Sequence, residues 1–204
     1  MDFKPKVVVT GFGPFSTHVI NDSGLCAYRI KDSGLEDELN IEIISEVLDV
    51  IYDKALDRVR DLWSRHNPFL VVHLGVHNKK KCITIEKCAH KQGYKDFDIK
   101  KKCPANGICP YGKHQRICTE VDVDSIIKKC NPSQYDLCSS QDAGLYLCEF
   151  VYYTSLSHDP SRVIFVHIPP YNEPGNLQYK VNVVKDIIKH TFLHLCEKEK
   201  INKT

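Results

Sequence analysis

The chain has 204 residues, 42% of them hydrophobic, and a formal net charge of +2. That length and composition suit one globular domain spanning residues 1–204 with a buried core, and they exclude a disordered chain. The near-balanced charge gives no support for a nucleic-acid or membrane surface, and no run of about 18 apolar residues offers a membrane span.

Lys6 to Phe12 (KVVVTGF) is a β-branched run and predicts a buried strand, ended by Gly11, Gly13 and Pro14. Asn21, Asp22 and Ser23 are capping residue types, so a short helix to about Lys31 follows. Asn40 to Leu48 reads as a second strand. Asp53 to His66 reads as a helix with Leu56, Val59 and Trp63 on one face, stopped by Asn67 and Pro68. Phe69 to Val76 is near-continuously apolar, as in a strand covered on both faces. Cys82 to Ala89 alternates and predicts a fourth strand with two unlike faces.

His90 to Glu120 shows no period. A stretch that long in a compact domain is expected to hold a small hairpin or to cover a cleft. Asp124 to Cys130 predicts a short helix, and Asp142 to Ser155 a helix bearing Cys148. Arg162 to Ile168 predicts a fifth core strand, ended by Pro169 and Pro170. Leu177 to Glu197 predicts a closing amphipathic helix with Val181, Val184, Ile188 and Leu195 as its stripe. Residues 198 to 204 are expected to form a loose tail. Strands alternating with helices imply a three-layer α/β domain around a mostly parallel, mixed sheet. No repeat, low-complexity tract or linker interrupts the pattern.

The segment Met1 to Lys6 is polar and unlike a secretion signal, so a cytoplasmic protein is expected, with its ten cysteines mostly thiols. Cys103, Cys109 and Cys118 lie near His114, but without the tight cysteine pairs of structural zinc, so no metal site is expected. The basic runs Lys79 to Lys81 and Lys100 to Lys102 are short and read as solvated loops.

Three residues carry the chemistry. Cys148 sits near the start of a predicted helix, where unpaired N–H groups and partial positive charge favour a thiolate and can hold an oxyanion. The bland alternative is a buried structural cysteine. Asp142-Ala143-Gly144 offers the cap and the glycine that such a helix start requires. His167 sits at the end of an apolar strand, and ligands gather at the carboxyl ends of strands in open α/β sheets; a histidine there can move a proton. The alternative is a satisfied core histidine. Glu86 interrupts an apolar alternation; a carboxylate there is costly to bury without a partner, which an imidazolium supplies. A solvated strand face competes equally. Thr10 to Phe15 (TGFGPF) lacks the third glycine of a dinucleotide loop, and Pro14 removes an N–H, so no nucleotide site is expected. Phe12 and Phe15 are core residues or the walls of an apolar pocket.

TGFGPF with Asn21 six residues beyond Phe15, ITIEK around Glu86, SQDAGLYLC ending at Cys148, and FVHIPP around His167 resemble the pyroglutamyl-peptidase I family. These cysteine peptidases remove N-terminal pyroglutamate from peptides. The resemblance runs from about Val7 to Pro170, and TIEKCAHKQGY and YYTSL are closer to animal members than to bacterial ones. It implies an α/β/α sandwich without cofactor or metal, a catalytic set of Glu86, Cys148 and His167, and a cytoplasmic monomer. It also implies a lactam pocket walled by Phe12 and Phe15, braced or contacted by Asn21 and completed by Tyr146, Leu147 and Phe97. Two departures stand out. The family has small residues after its Gly-Val pair, whereas Gly75-Val76 here precedes His77, Asn78 and three lysines. Ser16 replaces a usual glycine. A cysteine hydrolase of another small amide and a catalytically silent, redox-sensing α/β binding protein are the rival readings.

Overall fold

A computed structural model describes residues 4–15, 20–77, 82–130, 135–170 and 177–201. Ser16, Asn78 and Lys79 to Lys81 lie outside them. Six strands form one sheet in the order β2-β1-β3-β8-β4-β7. They are β1 (Lys6–Phe12), β2 (Glu42–Leu48), β3 (Leu70–Val76), β4 (Ile83–Glu86), β7 (Leu137–Ser140) and β8 (Val163–Ile168). All neighbours are parallel except β4 and β8, so β4 and β7 run against the other four.

The alternation of strand side chains builds two cores. Val7 and Val9 of β1 face one way, onto α1 (Asp22–Arg29), α4 (Val123–Lys129) and α6 (Leu177–Ile201). Val8 faces the other way, onto α3 (Tyr52–His66) and α5 (Leu147–Leu156). The stripe expected on α6 is buried: Val181, Val184, Ile188 and Leu195 all pack into the first core. Each such side chain contributes about 1.5–3 kcal/mol. Lys180 of α6 reaches Asp22, at the start of α1, with Nζ 2.5 Å from Oδ2, and both side chains are buried. Its Nζ also donates to the Pro170 carbonyl at 3.1 Å, which fastens the chain just beyond β8.

Several expectations need correction. Cys82 to Ala89 is not one strand. The run divides at Lys87 into β4 and β5 (Cys88–His90), because β5 leaves the main sheet and pairs with β6 (Arg116–Cys118). That second pairing closes the stretch His90 to Glu120 at its base rather than forming a small hairpin within it, since β5 ends at His90 and β6 begins at Arg116. The cysteine helix begins at Leu147, not Asp142, because Gly144 (φ 94°) and Leu145 (φ 44°) are left-handed and break the helical path. Asp142 therefore caps nothing; its Oδ1 accepts from the Gly144 N–H at 3.0 Å within a turn. The helix α6 continues through Ile201, so residues 198–201 are not a loose tail. Two elements, α2 (Leu35–Leu39) and β7, had no counterpart in the sequence reading.

Four cysteines are paired, Cys82 with Cys138 and Cys88 with Cys118. The second bond joins residues directly opposite in the β5–β6 ladder. Cys103, Cys109 and Cys118 do not gather: Cys103 is exposed, Cys109 is buried, and Cys118 is committed to Cys88.

A buried polar chain ties α5 to the sheet. His73 of β3 bridges Thr10 Oγ1 through Nδ1 and Ser155 Oγ through Nε2, each at 2.6 Å, and Trp63 Nε1 donates to the same Ser155 oxygen at 3.0 Å. Burial pushes the His73 imidazole down to about 3. Between that value and the ordinary value near 6.5, the unfolded chain binds a proton that the native state refuses. Stability is then fully present above about pH 6.5 and falls as the solution is acidified, by about 1.4 kcal/mol per pH unit from this group. His73→Gln is expected to lose about one proton from that pH dependence. Urea unfolding of both proteins at pH 7.5 and 5.5 measures it, and an unchanged difference would remove His73 as the cause.

Candidate active site

The carboxyl ends of β1, β3 and β8 lie side by side, and the N-terminus of α5 meets them. His167 stands on β8 opposite Thr84 of β4, while Glu86 stands opposite Phe165. Glu86 and His167 are thus diagonal neighbours on one face of an antiparallel pair, a spacing that long side chains can bridge. They do bridge it: His167 Nδ1 lies 2.7 Å from Glu86 Oε1. Both side chains are buried, which removes the solvated-face alternative for Glu86. A carboxylate accepts only, so Nδ1 carries the proton and Nε2 is the proton acceptor of the ring.

Gly75 is the register partner of His167 on β3. A Cβ added to Gly75 would lie 2.8 Å from Cys148 Sγ. The sulfur therefore occupies the space above the strand position beside His167, and only glycine there leaves room for it. Cys148 is the second residue of α5 and is half-buried among fully buried helix neighbours. The N-cap residue Tyr146 makes no capping bond with its side chain. The first-turn N–H groups beside the sulfur are thus not covered by the cap, and an anion there is favoured.

The sulfur separates two cavities. On one side is a small apolar pocket walled by Phe12, Phe15, Tyr146 and Leu147, with Asn21 at its margin. Val50 and Val76, which sequence reasoning missed, complete it; their only signal was a place just beyond β2 and at the end of β3. Asn21 lines the pocket and is also tied to the backbone around it. Its Nδ2 donates to the Gly13 carbonyl at 2.9 Å, and its Oδ1 accepts from the Ser23 N–H and hydroxyl at 3.1 and 2.7 Å. Phe97 does not line this pocket. The residue is 65% exposed, and its carbonyl accepts the Tyr146 hydroxyl at 3.2 Å, so its backbone steadies the Tyr146 wall. On the other side of the sulfur is a larger, open and more polar cleft that also receives His167.

Glu149 had no role in the sequence reading, yet it is fully buried beside the sulfur-bearing residue. Its carboxylate accepts from the His90 N–H (2.8 Å), from His90 Nδ1 (2.7 Å) and from the Leu145 N–H (3.0 Å). It holds the turn that leads into Cys148, as a helix N3 acid holds a helix start. A Glu three residues after the N-cap Tyr146 was the available signal, hidden by the early placement of the helix. Among the described residues, no three His, Cys, Asp or Glu side chains group as metal ligands.

A buried carboxylate–imidazole pair, a thiol at a helix start and an adjoining apolar pocket make up the equipment of amide cleavage. The model of the family described as pyroglutamyl peptidase matches residues 5–182. The chain belongs to the pyroglutamyl peptidase family. It is 37% identical over 202 residues to pyroglutamyl-peptidase 1 of Homo sapiens, covering 98% of this chain and 96% of that one. It is likewise 37% identical to the Rattus norvegicus protein of that name, over 91% of this chain and 89% of the other. Identity to the pyrrolidone-carboxylate peptidase of Pyrococcus furiosus is 28%, so the chain is of the animal type. The fold agrees: pyrrolidone carboxyl peptidase from Thermococcus litoralis superposes with a TM-score of 0.84 at 20% identity, over 95% of this chain and 96% of that one.

Proposed function

We propose that this family member is a cysteine peptidase that hydrolyses the N-terminal pyroglutamyl residue from peptides. The observation that carries the reading is the union, in one member of this family, of the Glu86–His167 pair with Cys148 beside an aromatic-walled pocket. Glu86 orients His167, and Nε2 takes the thiol proton as Cys148 attacks the pyroglutamyl carbonyl. The N–H groups at the start of α5 hold the oxyanion. His167 then protonates the departing amine, and water hydrolyses the thioester that remains. Phe12 and Phe15 flank the flat lactam, and Tyr146 and Leu147 close the pocket behind it. A free α-ammonium in that slot would lose several kcal/mol of hydration, so ordinary N-termini are rejected.

Residues 1–204 are read as a single peptidase domain, supported by a sheet that draws strands from both ends of the chain. Likeness to animal-type members supports a cytoplasmic monomer that needs no cofactor. Among the described residues, no helix is long and apolar enough to cross a membrane.

Pyroglutamyl and prolyl aminocoumarin reporters, assayed side by side, test the activity. Fluorescence is expected from the pyroglutamyl reporter alone. Release from the prolyl reporter at a comparable rate would overturn the reading.

A further inference from the structure

The turn that delivers Cys148 is held in a shape its sequence does not favour. Gly144 takes a φ of 94° freely, but Leu145 has a φ of 44°, a region that a residue with a side chain enters only at a cost. The Leu145 side chain is 40% exposed and rests over Gly93, so burial alone does not hold this backbone. Strain of that kind persists where neighbouring groups impose it, and it gathers at functional sites.

Glu149 is the group that imposes it. Its fully buried carboxylate spans two segments of chain. Oε1 accepts from the N–H and from Nδ1 of His90, at 2.8 and 2.7 Å. Oε2 accepts from the Leu145 N–H at 3.0 Å. The His90 side of this bridge is fixed independently. His90 pairs with Arg116 in the β5–β6 ladder, and its carbonyl accepts the hydroxyl of the buried Tyr94. The turn is therefore the side that depends on Glu149. Directly after Leu145 come Tyr146, Leu147 and Cys148, whose peptide units open α5 beside the sulfur.

The geometry points to Glu149 as a positioning residue of the reaction: by holding Leu145 in the left-handed conformation, it aims the N–H groups that receive the oxyanion. It acts through the turn and not on the substrate. The inference rests on the pyroglutamyl-peptidase reading and deepens it.

Glutamine at this position has one acceptor oxygen in place of two. In Glu149→Gln that oxygen stays with the two His90 donors, and the amide NH2 faces the Leu145 N–H, donor against donor. The turn is released there while the shape of the side chain is kept. Three measurements on the wild type and this variant test the assignment: turnover of pyroglutamyl aminocoumarin, inhibition by the aldehyde analogue of pyroglutamate, and the rate of Cys148 alkylation by iodoacetamide. The thiol adds across the aldehyde carbonyl, so the adduct sets an oxygen where the oxyanion forms. Alkylation displaces iodide and develops no oxyanion.

Glu149→Gln is expected to lower kcat about 10- to 100-fold with KM within about threefold, and to weaken the aldehyde by a matching factor. Alkylation is expected to stay within about threefold of the wild type. Adding Leu145→Gly removes the cost of the left-handed turn, and is expected to recover about 3- to 10-fold of both losses. An unchanged kcat, an aldehyde affinity that does not follow kcat, a matching fall in alkylation, or no recovery with Leu145→Gly would each overturn the assignment. Should thermal unfolding show that Glu149→Gln does not fold, His90→Ala decides. Its half-exposed side chain supplies one of the two donors that anchor Oε1. His90→Ala is expected to show the same parallel loss of kcat and aldehyde affinity at about 2- to 5-fold, and wild-type values of both would overturn the assignment. No cleavage of the pyroglutamyl reporter by the wild type would sink the peptidase reading itself, a result distinct from all of these.

Discussion

Cys148→Ala is expected to reduce release of aminocoumarin from a pyroglutamyl reporter to background, and Cys148→Ser to within a few-fold of it. Loss of a nucleophile costs roughly 10³-fold or more, leaving only the residual rate that the binding and oxyanion groups give to direct attack by water. Serine is a poor substitute here, since the site is arranged for a group that ionises readily, and a hydroxyl does not. The fold should survive both changes, because the side chain is small, half-buried and outside both disulfides. Alkylation at neutral pH supplies an independent readout. Burial pushes the thiols of Cys26 and Cys130 up to about 12, and raises those of Cys109 and Cys196 as well. A thiol at about 12 is thiolate roughly once in 10⁵ molecules at pH 7, so Cys26 and Cys130 label very slowly, and burial holds back Cys109 and Cys196 in the same direction. Cys103 is exposed and provides an accessible reference. Mass spectrometry after a short iodoacetamide pulse should find Cys148 modified well before Cys103. Equal labelling of the two would favour a silent binding protein, and full activity in Cys148→Ala would end the assignment.

The central strands were legible in the sequence because each carries a near-continuous apolar run. Lys6–Phe12 begins and ends where expected, and Val163–Ile168 within a residue of it. The edge was not legible. The strand β7 carries Leu137 followed by Cys138, Ser139 and Ser140, and a partly solvated edge strand needs no hydrophobic pattern. The helix α2 has five residues, too few for a 3.6-residue period to register. The division of β4 from β5 at Lys87 reflects a change of partner strand, which local alternation does not record. At the site, Glu86, Cys148 and His167 each looked ambiguous alone. What brings them near one another is the reversed direction of β4, which sets Glu86 diagonal to His167, and the missing side chain of Gly75 beneath the sulfur. Both are properties of tertiary pairing. The resemblance to a family stood in for that missing information. It could not do so at His77, where this chain departs from the pattern.

Glu86→Gln is expected to lower kcat by roughly 10²- to 10⁴-fold while leaving the protein folded and KM within a few-fold. In the proposed mechanism the buried carboxylate does two things for His167. It accepts the Nδ1 proton, which fixes the tautomer that presents Nε2 to the thiol, and it stabilises the positive charge that the ring acquires. Glutamine is nearly isosteric but does neither reliably. Its amide can donate to Nδ1, which moves the ring proton to Nε2 and leaves the imidazole unable to accept one from Cys148. Stability is expected to change little, because removing a fully buried charge also removes its desolvation cost. Thermal unfolding separates the two effects: a near-native melting temperature with deeply reduced kcat assigns the loss to chemistry. The Cys148→Ala and Glu86→Gln changes should also be strongly non-additive, since a base has no proton to take once the thiol is gone. Comparable turnover in wild type and Glu86→Gln from pH 5 to 9 would remove the orienting role and leave the Glu86–His167 pair as a device of the core alone.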